Sequence, residues 1–87
     1  MQRVIKGKRY DTKTAKCIAH NNEYLGRASY LFKTQKGNFF VLHETCWQGE
    51  YDMIEPIDLG SAKQLYEELE ERQVEYEVAF GVAPEEA

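Results

Sequence analysis

The chain has 87 residues, of which 43% are hydrophobic and 30% are charged, and its net charge is −4. This length supports one small hydrophobic core, and this composition excludes a disordered polar chain. No apolar run approaches the roughly 20 residues that cross a membrane, and strand-like sequence follows Met1 directly, so we expect no membrane span, no signal peptide and a cytoplasmic location.

The charged residues are divided unevenly along the chain. Residues 1–46 carry nine basic and three acidic side chains, a net charge of +6, whereas residues 47–87 carry two basic and twelve acidic ones, a net charge of −10. This pattern predicts one basic and one acidic surface, which serve either solubility or electrostatic docking.

The first quarter of the chain predicts two short strands. Residues 3–6 form a strand that Gly7 ends, and Asp11 and Thr12 favour a turn. Residues 14–20 fit either a strand or a short helix, and we predict a strand. The residues that mark a following loop are Asn21, Asn22, Glu23 and Gly26.

Two runs rich in aromatic and β-branched residues flank a turn at residues 35–38. Gly37 and Asn38 tolerate the positive φ that tight turns require, so the pattern predicts a β-hairpin over residues 28–47. Strand alternation places Tyr30, Phe32 and Thr34 on one face of the first strand. One face of the second strand carries Phe39, Val41, His43 and Thr45. The opposite face carries Phe40, Leu42, Glu44 and Cys46.

The sequence that follows the hairpin predicts an edge strand and a capped helix. Residues 51–57 form the strand, which Pro56 places at an edge or ends because proline has no N–H group. Ser61 and Gln64 have capping-box spacing at the start of a helix over residues 61–72. The apolar stripe that packs this helix on the sheet is Ala62, Leu65, Tyr66 and Leu69.

The end of the chain is open to two interpretations. Residues 74–80 alternate like a strand and also fit one face of a short helix, and residues 81–87 form a frayed tail. We therefore predict one α+β domain over residues 1–87, with a small antiparallel sheet of about four strands packed against one amphipathic C-terminal helix.

The cysteine and histidine residues form two spaced pairs, C-x-x-H at Cys17 and His20 and H-x-x-C at His43 and Cys46. Four such ligands suit zinc, but neither pair encloses a glycine, and residues three apart in a regular strand point to opposite faces. A Cys–His nucleophile lacks an accompanying oxyanion-hole motif. We therefore predict reduced cysteines, no metal, no cofactor and no enzymatic activity.

The acidic half of the chain carries a candidate surface for a protein partner. If Trp47 and Tyr51 are exposed beside Glu50, they form a binding hot spot, whereas a buried Trp47 only covers the core. The acidic helix residues either form a solvated face or meet a basic groove on a partner. These residues are Glu67, Glu68, Glu70 and Glu71.

The basic half offers a candidate surface for nucleic acid, with Tyr10 among its cations. The sequence pI of about 5.1 argues against strong nucleic-acid binding, so this surface supports an alternative function rather than the preferred one. The basic residues are Arg3, Lys6, Lys8, Arg9, Lys13 and Lys16, and the candidate contacts are Lys6, Lys8, Arg9 and Lys13.

The opening pattern G-K-x-Y-D-T-x-T-A at residues 7–15, preceded by Val4 and Ile5, resembles the start of a group of small proteins from phages, plasmids and conjugative elements. The resemblance continues in L-F-K-T at residues 31–34 and K-G-N-F-F at residues 36–40. Weaker similarity returns at Ala62, Tyr76, Phe80 and Gly81. The glycine-rich loop that usually follows the hairpin is reduced here to Trp47-Gln48-Gly49.

This resemblance implies that residues 74–80 are helical, and it places the protein in the cytoplasm of a host cell. Some proteins with a similar opening are anti-CRISPR inhibitors that bind Cas effectors. The resemblance therefore implies a non-enzymatic protein that binds and blocks a protein partner. The alternative is a small nucleic-acid-binding or regulatory protein that uses the basic N-terminal surface.

Overall fold

The computed structural model describes residues 1–21 and 26–86 and shows an α+β fold. Its elements in chain order are β1 (Gln2–Ile5), β2 (Lys8–Asp11), β3 (Lys16–His20), β4 (Arg27–Lys33), β5 (Phe39–Thr45), β6 (Met53–Ile57), α1 (Leu59–Glu68), β7 (Glu71–Arg72) and α2 (Tyr76–Phe80). An antiparallel five-stranded sheet has the order β6-β5-β4-β3-β7, and β1 pairs with β2 in a separate two-stranded sheet.

The predicted hairpin is confirmed as β4 and β5, which pair from Arg27 opposite Thr45 to Lys33 opposite Phe39. The Thr34 N–H group donates to the Asn38 carbonyl at 2.8 Å, and Gly37 adopts a φ of +89° in the turn. The predicted edge strand is confirmed as β6, in which Pro56 lies opposite Phe40. Proline suits this position because an edge strand has neighbours on one side only.

Both faces of the five-stranded sheet are covered. On one face, Leu31, Phe39 and Val41 pack with the helical residues Ala62 and Tyr66. The opposite face holds a second apolar cluster, made of Tyr10, Phe32, Phe40, Leu42 and Ile54. The burial of both faces explains the unbroken apolar run at residues 39–42, where a half-exposed strand would alternate with polar residues.

The prediction of about four strands misses β2 and β7. Lys6 and Gly7 join β1 to β2 with φ values of +51° and +78°, the backbone signs of a type I′ hairpin turn. Tyr10 of β2 carries this hairpin onto the large sheet, where its ring meets Phe40 edge-on at 5.6 Å. The hairpin thereby becomes a third layer, opposite the helices.

The predicted helix over residues 61–72 is wrong at both ends. Its N-cap is Asp58, whose Oδ1 accepts a hydrogen bond from the Ser61 N–H group at 2.7 Å, so Ser61 lies inside the helix. The helix ends because Leu69 adopts an extended backbone and its side chain is buried in the core. Residues 71 and 72 then pair with β3 as β7. The apolar stripe is confirmed, although α1 is only 10 residues long.

The second helix, α2, lies within the predicted segment 74–80, where Tyr76 and Phe80 pack against Tyr66. The predicted loop after β3 falls mostly outside the described residues, as does the last residue of the tail. In the described ranges, neither helix combines the length and apolarity that crossing a bilayer requires.

Candidate functional site

Residues 46–52 connect β5 to β6 and are called the aromatic loop below. Thr45 organises this loop through three hydrogen bonds. Its N–H group donates to Asp52 Oδ1 at 3.0 Å, its hydroxyl donates to Glu50 Oε1 at 2.9 Å, and the Trp47 N–H group donates to the same hydroxyl at 3.2 Å. One β-branched residue at the end of a strand therefore fixes both halves of an exposed loop.

Arg27, the first residue of β4, attaches the aromatic loop to the sheet. Its guanidinium forms an ion pair with Glu50 at 2.7 Å and lies 6.0 Å from the centre of the Trp47 ring. The Cys46 N–H group also donates to the Gly26 carbonyl at 2.9 Å. The hydrogen bond from Arg27, supported by that from Thr45, lowers the pKa of Glu50 below its ordinary value.

The aromatic loop presents large side chains to solvent. Trp47 is 52% exposed and Tyr51 is 88% exposed, so Trp47 does not serve as a cover for the core. Beside them, Met53 is also exposed and lines an open groove of about 290 Å³ with Arg27, His43 and Tyr51. The structure thus brings the three predicted loop residues Trp47, Glu50 and Tyr51 into one surface.

Carboxylates surround this surface, and we call the region the acidic end of the sheet. His43 is bound to Glu55 at 2.9 Å, and both line a shallow cleft of about 260 Å³ with Glu68 of α1. Among the described residues of this region, Glu50 is the one carboxylate that forms an ion pair with a lysine or arginine, and its partner is Arg27. The carboxylates of the acidic end are Glu44, Glu50, Asp52, Glu55 and Glu68.

The structure divides the four predicted acidic residues of the helix. Glu68 belongs to the acidic end, whereas Glu67 lines a different cleft with Lys63, Tyr76 and the tail. Glu70 and Glu71 lie at the turn into β7, the opposite edge strand of the sheet, about 19 Å from β6 across four strand spacings. All four are exposed, and the adjacent residues Glu67 and Glu68 line different clefts.

Arg72 supports this C-terminal part of α1. Its guanidinium donates to the carbonyls of Tyr66 at 3.0 Å and Glu67 at 2.7 Å, and it lies 5.4 Å from the centre of the Tyr66 ring. A cation is favourable here because the last carbonyls of a helix carry partial negative charge. Glu67 and Glu68 occupy the last turn, where that same charge disfavours carboxylates.

The predicted basic residues lie toward the opposite end of the sheet. Lys8 and Arg9 of β2 line an open cleft of about 530 Å³ together with Lys36 from the β4–β5 turn, and we call it the basic cleft. Lys6 lies in the turn between β1 and β2, and Lys13 lies in the turn before β3, where its N–H group donates to Asp11 Oδ1 at 2.9 Å. Neither of these two lysines lines the basic cleft.

The register of β3 shifts between Cys17 and Ala19. Ile18 and Ala19 therefore both join the core cluster beneath the helices, while Cys17 and His20 both lie on the face of Tyr30. The expectation that residues three apart point to opposite faces is wrong for this strand, because it assumed a regular pleat.

The cysteines and histidines nevertheless do not converge. Cys17 lies opposite Phe32, whereas the Cys46 N–H group is hydrogen-bonded to Gly26. Because about six residue positions separate Gly26 from Phe32, the two free thiols are about 20 Å apart along β4. His43 lies on the helix-covered face, away from Cys17 and His20. Burial raises the pKa of the Cys17 thiol. The described residues contain no group of three or more His, Cys, Asp or Glu side chains that could hold a metal ion.

Sequence reasoning did not identify Arg27, Thr45 or Lys36 as site residues. Arg27 and Thr45 are neighbours because β4 and β5 pair in this register, and Lys36 meets the N-terminal hairpin only because Tyr10 packs on Phe40. The proximity of Arg27 and Thr45 could have been predicted from the turn sequence and strand lengths of the hairpin, because the open ends of an antiparallel pair lie together. No local sequence pattern predicts that Lys36 lies beside the N-terminal hairpin.

Comparisons of this chain with protein-family models, with curated proteins and with solved structures find no match.

Proposed function

We propose that this chain is a non-enzymatic binding protein that uses its acidic end to cover a basic surface of a protein partner and so block it. The observation that carries the proposal is the aromatic loop, in which Trp47 and Tyr51 are exposed on a hydrogen-bonded framework among carboxylates. Tryptophan, tyrosine and arginine dominate the energetics of protein interfaces, and the loop supplies Trp47 and Tyr51 while the adjoining strand supplies Arg27.

The order of the loop supports this role. A flexible loop would lose conformational entropy on binding, whereas the bonds of Thr45 and the ion pair of Arg27 with Glu50 already hold this loop in one arrangement. The apolar area of Trp47, Tyr51 and Met53 is then available for burial by a partner. These exposed side chains serve as anchors, and the surrounding polar groups form the rim.

The charge of the acidic end supports a basic partner. Four of its five carboxylates lack an arginine or lysine partner within residues 1–21 and 26–86. Such uncompensated charge accelerates and selects encounters with positively charged surfaces more than it adds affinity. Proteins that handle nucleic acids carry basic grooves of this kind, and carboxylates imitate the phosphates that these grooves bind.

The resemblance of residues 7–15 and 31–40 to small proteins of mobile elements narrows the proposal. Some members of that group inhibit CRISPR effectors, so the partner we propose is a Cas effector or a similar nucleic-acid-handling complex in the host cytoplasm. The acidic end would occupy the groove that normally receives the nucleic acid. Inhibition would then result from steric exclusion, with no chemical step.

The test measures target-DNA binding by purified Cas effector complexes with and without this chain. We expect the wild-type chain to inhibit at least one effector class and the double variant Trp47→Ala/Tyr51→Ala to inhibit about 1,000-fold less, because hot-spot residues contribute about 2 kcal/mol or more each and about 1.4 kcal/mol is tenfold. A matched charge comparison sets Glu44→Gln/Glu55→Gln against Glu85→Gln/Glu86→Gln in the tail. The first pair should slow association, and the tail pair should leave it unchanged.

Two results would contradict this proposal. One is full inhibition by the Trp47→Ala/Tyr51→Ala variant, which would place the interface elsewhere on the molecule. The other is the absence of inhibition across the effector classes and of any effect on other nucleic-acid-handling complexes tested in the same way. Binding that is retained at high salt would argue specifically against the electrostatic part of the proposal.

A further inference from the structure

The basic cleft is a second, separate surface with its own chemistry. Its two walls are the β1–β2 hairpin, which supplies Lys8 and Arg9, and the β4–β5 turn, which supplies Lys36. Its other polar lining includes Thr14, Thr34 and Asn38. The volume of about 530 Å³ lies within the range of about 300–1,000 Å³ that is usual for ligand sites, although the cleft is open to solvent.

The charge of the cleft is of one sign. No aspartate or glutamate is among the described residues that line it. Within residues 1–21 and 26–86, none of Lys8, Arg9 and Lys36 forms an ion pair. Three cationic residues line one concave surface without internal neutralisation, so an anion that binds there meets an excess of positive charge.

Both walls of the cleft are held in place by the fold. Tyr10 anchors the hairpin through its edge-on contact with Phe40, which in turn stacks on Phe32 at 5.0 Å. The turn is closed by two hydrogen bonds between Thr34 and Asn38, at 2.8 Å and 3.0 Å. The backbone positions from which the three cationic side chains extend are therefore determined by the folded core, and binding needs no rearrangement of the two walls.

We propose that the basic cleft binds the phosphodiester backbone of a single-stranded nucleic acid. Hydroxyl, amide and cationic groups are the usual contacts to phosphate, and they position a strand without reading its sequence. Tyr10 lines the cleft but is only 7% exposed, so it does not offer a ring face for base stacking. The volume of the cleft, about 530 Å³, is that of a small-ligand site, so it would hold only a short length of a strand.

The first experiment measures fluorescence anisotropy of labelled oligothymidine and oligouridine of about 12 nucleotides. If three cations displace counterions from a single strand, the logarithm of affinity falls with the logarithm of salt concentration with a slope of about −2. Affinity should then decrease about 20-fold between about 50 and 200 mM salt. An absence of binding at about 50 mM salt, or binding without this salt dependence, would overturn the proposal.

The second experiment distinguishes the cleft from general surface charge. The triple variant Lys8→Gln/Arg9→Gln/Lys36→Gln should lose about tenfold or more of its affinity at about 50 mM salt. The control triple variant Arg3→Gln/Lys16→Gln/Lys63→Gln changes the net charge by the same amount at residues outside the cleft. Its affinity should stay within about twofold of wild type. Equal losses of affinity in both variants would contradict a localised site. Thermal melting checks that both variants are folded.

Competitors identify the kind of anion. Unlabelled single strands should displace the probe at much lower concentrations than inorganic phosphate, a mononucleotide or polyglutamate. Equal competition by the mononucleotide would assign the cleft to a small phosphate ligand, and stronger competition by polyglutamate would assign it to an acidic protein; each result would overturn the strand proposal. The Trp47→Ala/Tyr51→Ala variant should bind the strand normally, so this proposal and the proposed function can fail separately.

Discussion

The two ends of the five-stranded sheet carry opposite charges and are built in different ways. At the acidic end, Thr45 and Arg27 hold the exposed aromatic loop through hydrogen bonds and an ion pair. At the other end, a buried aromatic stack formed by Tyr10, Phe40 and Phe32 holds the wall of the basic cleft. Polar contacts thus hold one candidate surface in place, and apolar packing holds the other.

The distance between these ends makes them electrostatically independent. They lie at opposite ends of β4, about 20 Å apart. The Debye length at physiological ionic strength is about 8 Å, so neither end substantially alters the potential at the other. A chain with a net charge of only −4 can therefore offer a strongly positive and a strongly negative surface at the same time.

The largest expected effect comes from removing the apolar anchor of the basic cleft. Tyr10→Ala should lower the free energy of unfolding by about 3 kcal/mol, because Tyr10 is buried between the hairpin and the sheet. It should also abolish binding of the single strand by displacing the wall that carries Lys8 and Arg9. Urea unfolding and anisotropy measure the two effects.

Tyr51→Ala provides the matched control for this tyrosine substitution. Tyr51 is 88% exposed, so its replacement should change the free energy of unfolding by no more than about 0.5 kcal/mol and leave strand binding intact. If Tyr10→Ala retained both stability and strand binding, the hairpin would not depend on its aromatic anchor. The contrast between the two ends would then be lost.

A smaller effect is expected from a close approach at the acidic end. Gly26 has a φ of +78°, and a Cβ atom there would lie 2.7 Å from Trp47 Nε1 and 2.8 Å from Cys46 Sγ. Gly26→Ala should therefore combine backbone strain with displacement of the indole, at a cost of about 2 kcal/mol. Because Trp47 is the one tryptophan of the chain, its fluorescence should shift, and partner binding should weaken.

Gly37→Ala separates the two parts of this prediction. Gly37 also has a positive φ, of +89°, but a Cβ atom there would meet nothing within 4 Å. Its replacement should cost only about 1 kcal/mol of backbone strain and leave the Trp47 fluorescence unchanged. Identical fluorescence spectra for Gly26→Ala and the wild-type chain would show that the loop does not depend on this contact.

The parts of the fold that sequence reasoning predicted are those set by local patterns. Three features depend on neighbouring residues alone. They are the turn around Gly37, the alternation of side chains between the two sheet faces from Phe39 to Leu42, and the edge position of Pro56. The strand β7 could not be predicted in this way, because Glu71 and Arg72 favour helices in isolation. Their pairing with Ala19 and His20 becomes available only after the sheet has formed.

The candidate surfaces were predictable to a similar extent. Composition identified Trp47, Tyr51 and the N-terminal cations, because exposed aromatic and basic residues are informative without a structure. Composition could not show that Glu67 and Glu68 line different clefts, because each cleft depends on the elements that pack beside that side of α1. Residues Arg27 and Lys36 were missed because their roles depend on contacts between distant segments.

The smallest predicted effect concerns the pH dependence of the ion pair at the acidic end. The pKa of Glu50 is lowered in the folded chain by its hydrogen bonds from Arg27 and Thr45, so the ionised form stabilises the fold. That contribution is complete above the ordinary pKa of 4.5 and is lost as pH falls through the lowered folded value. Exposed pairs are weak, so Glu50→Gln should reduce the melting temperature at pH 6 by about 1–5 °C.

This difference in melting temperature between wild type and Glu50→Gln should shrink toward zero as the pH falls below 4.5 and through the lowered pKa of Glu50, because protonation removes from the wild-type chain what the substitution has already removed. The Glu85→Gln variant in the exposed tail provides the control, and its melting temperature should follow that of wild type at every pH. A difference that persisted unchanged at low pH would contradict the role of the Glu50 charge in holding the loop. The acidic end would then be held as the basic cleft is, without a contribution from charge.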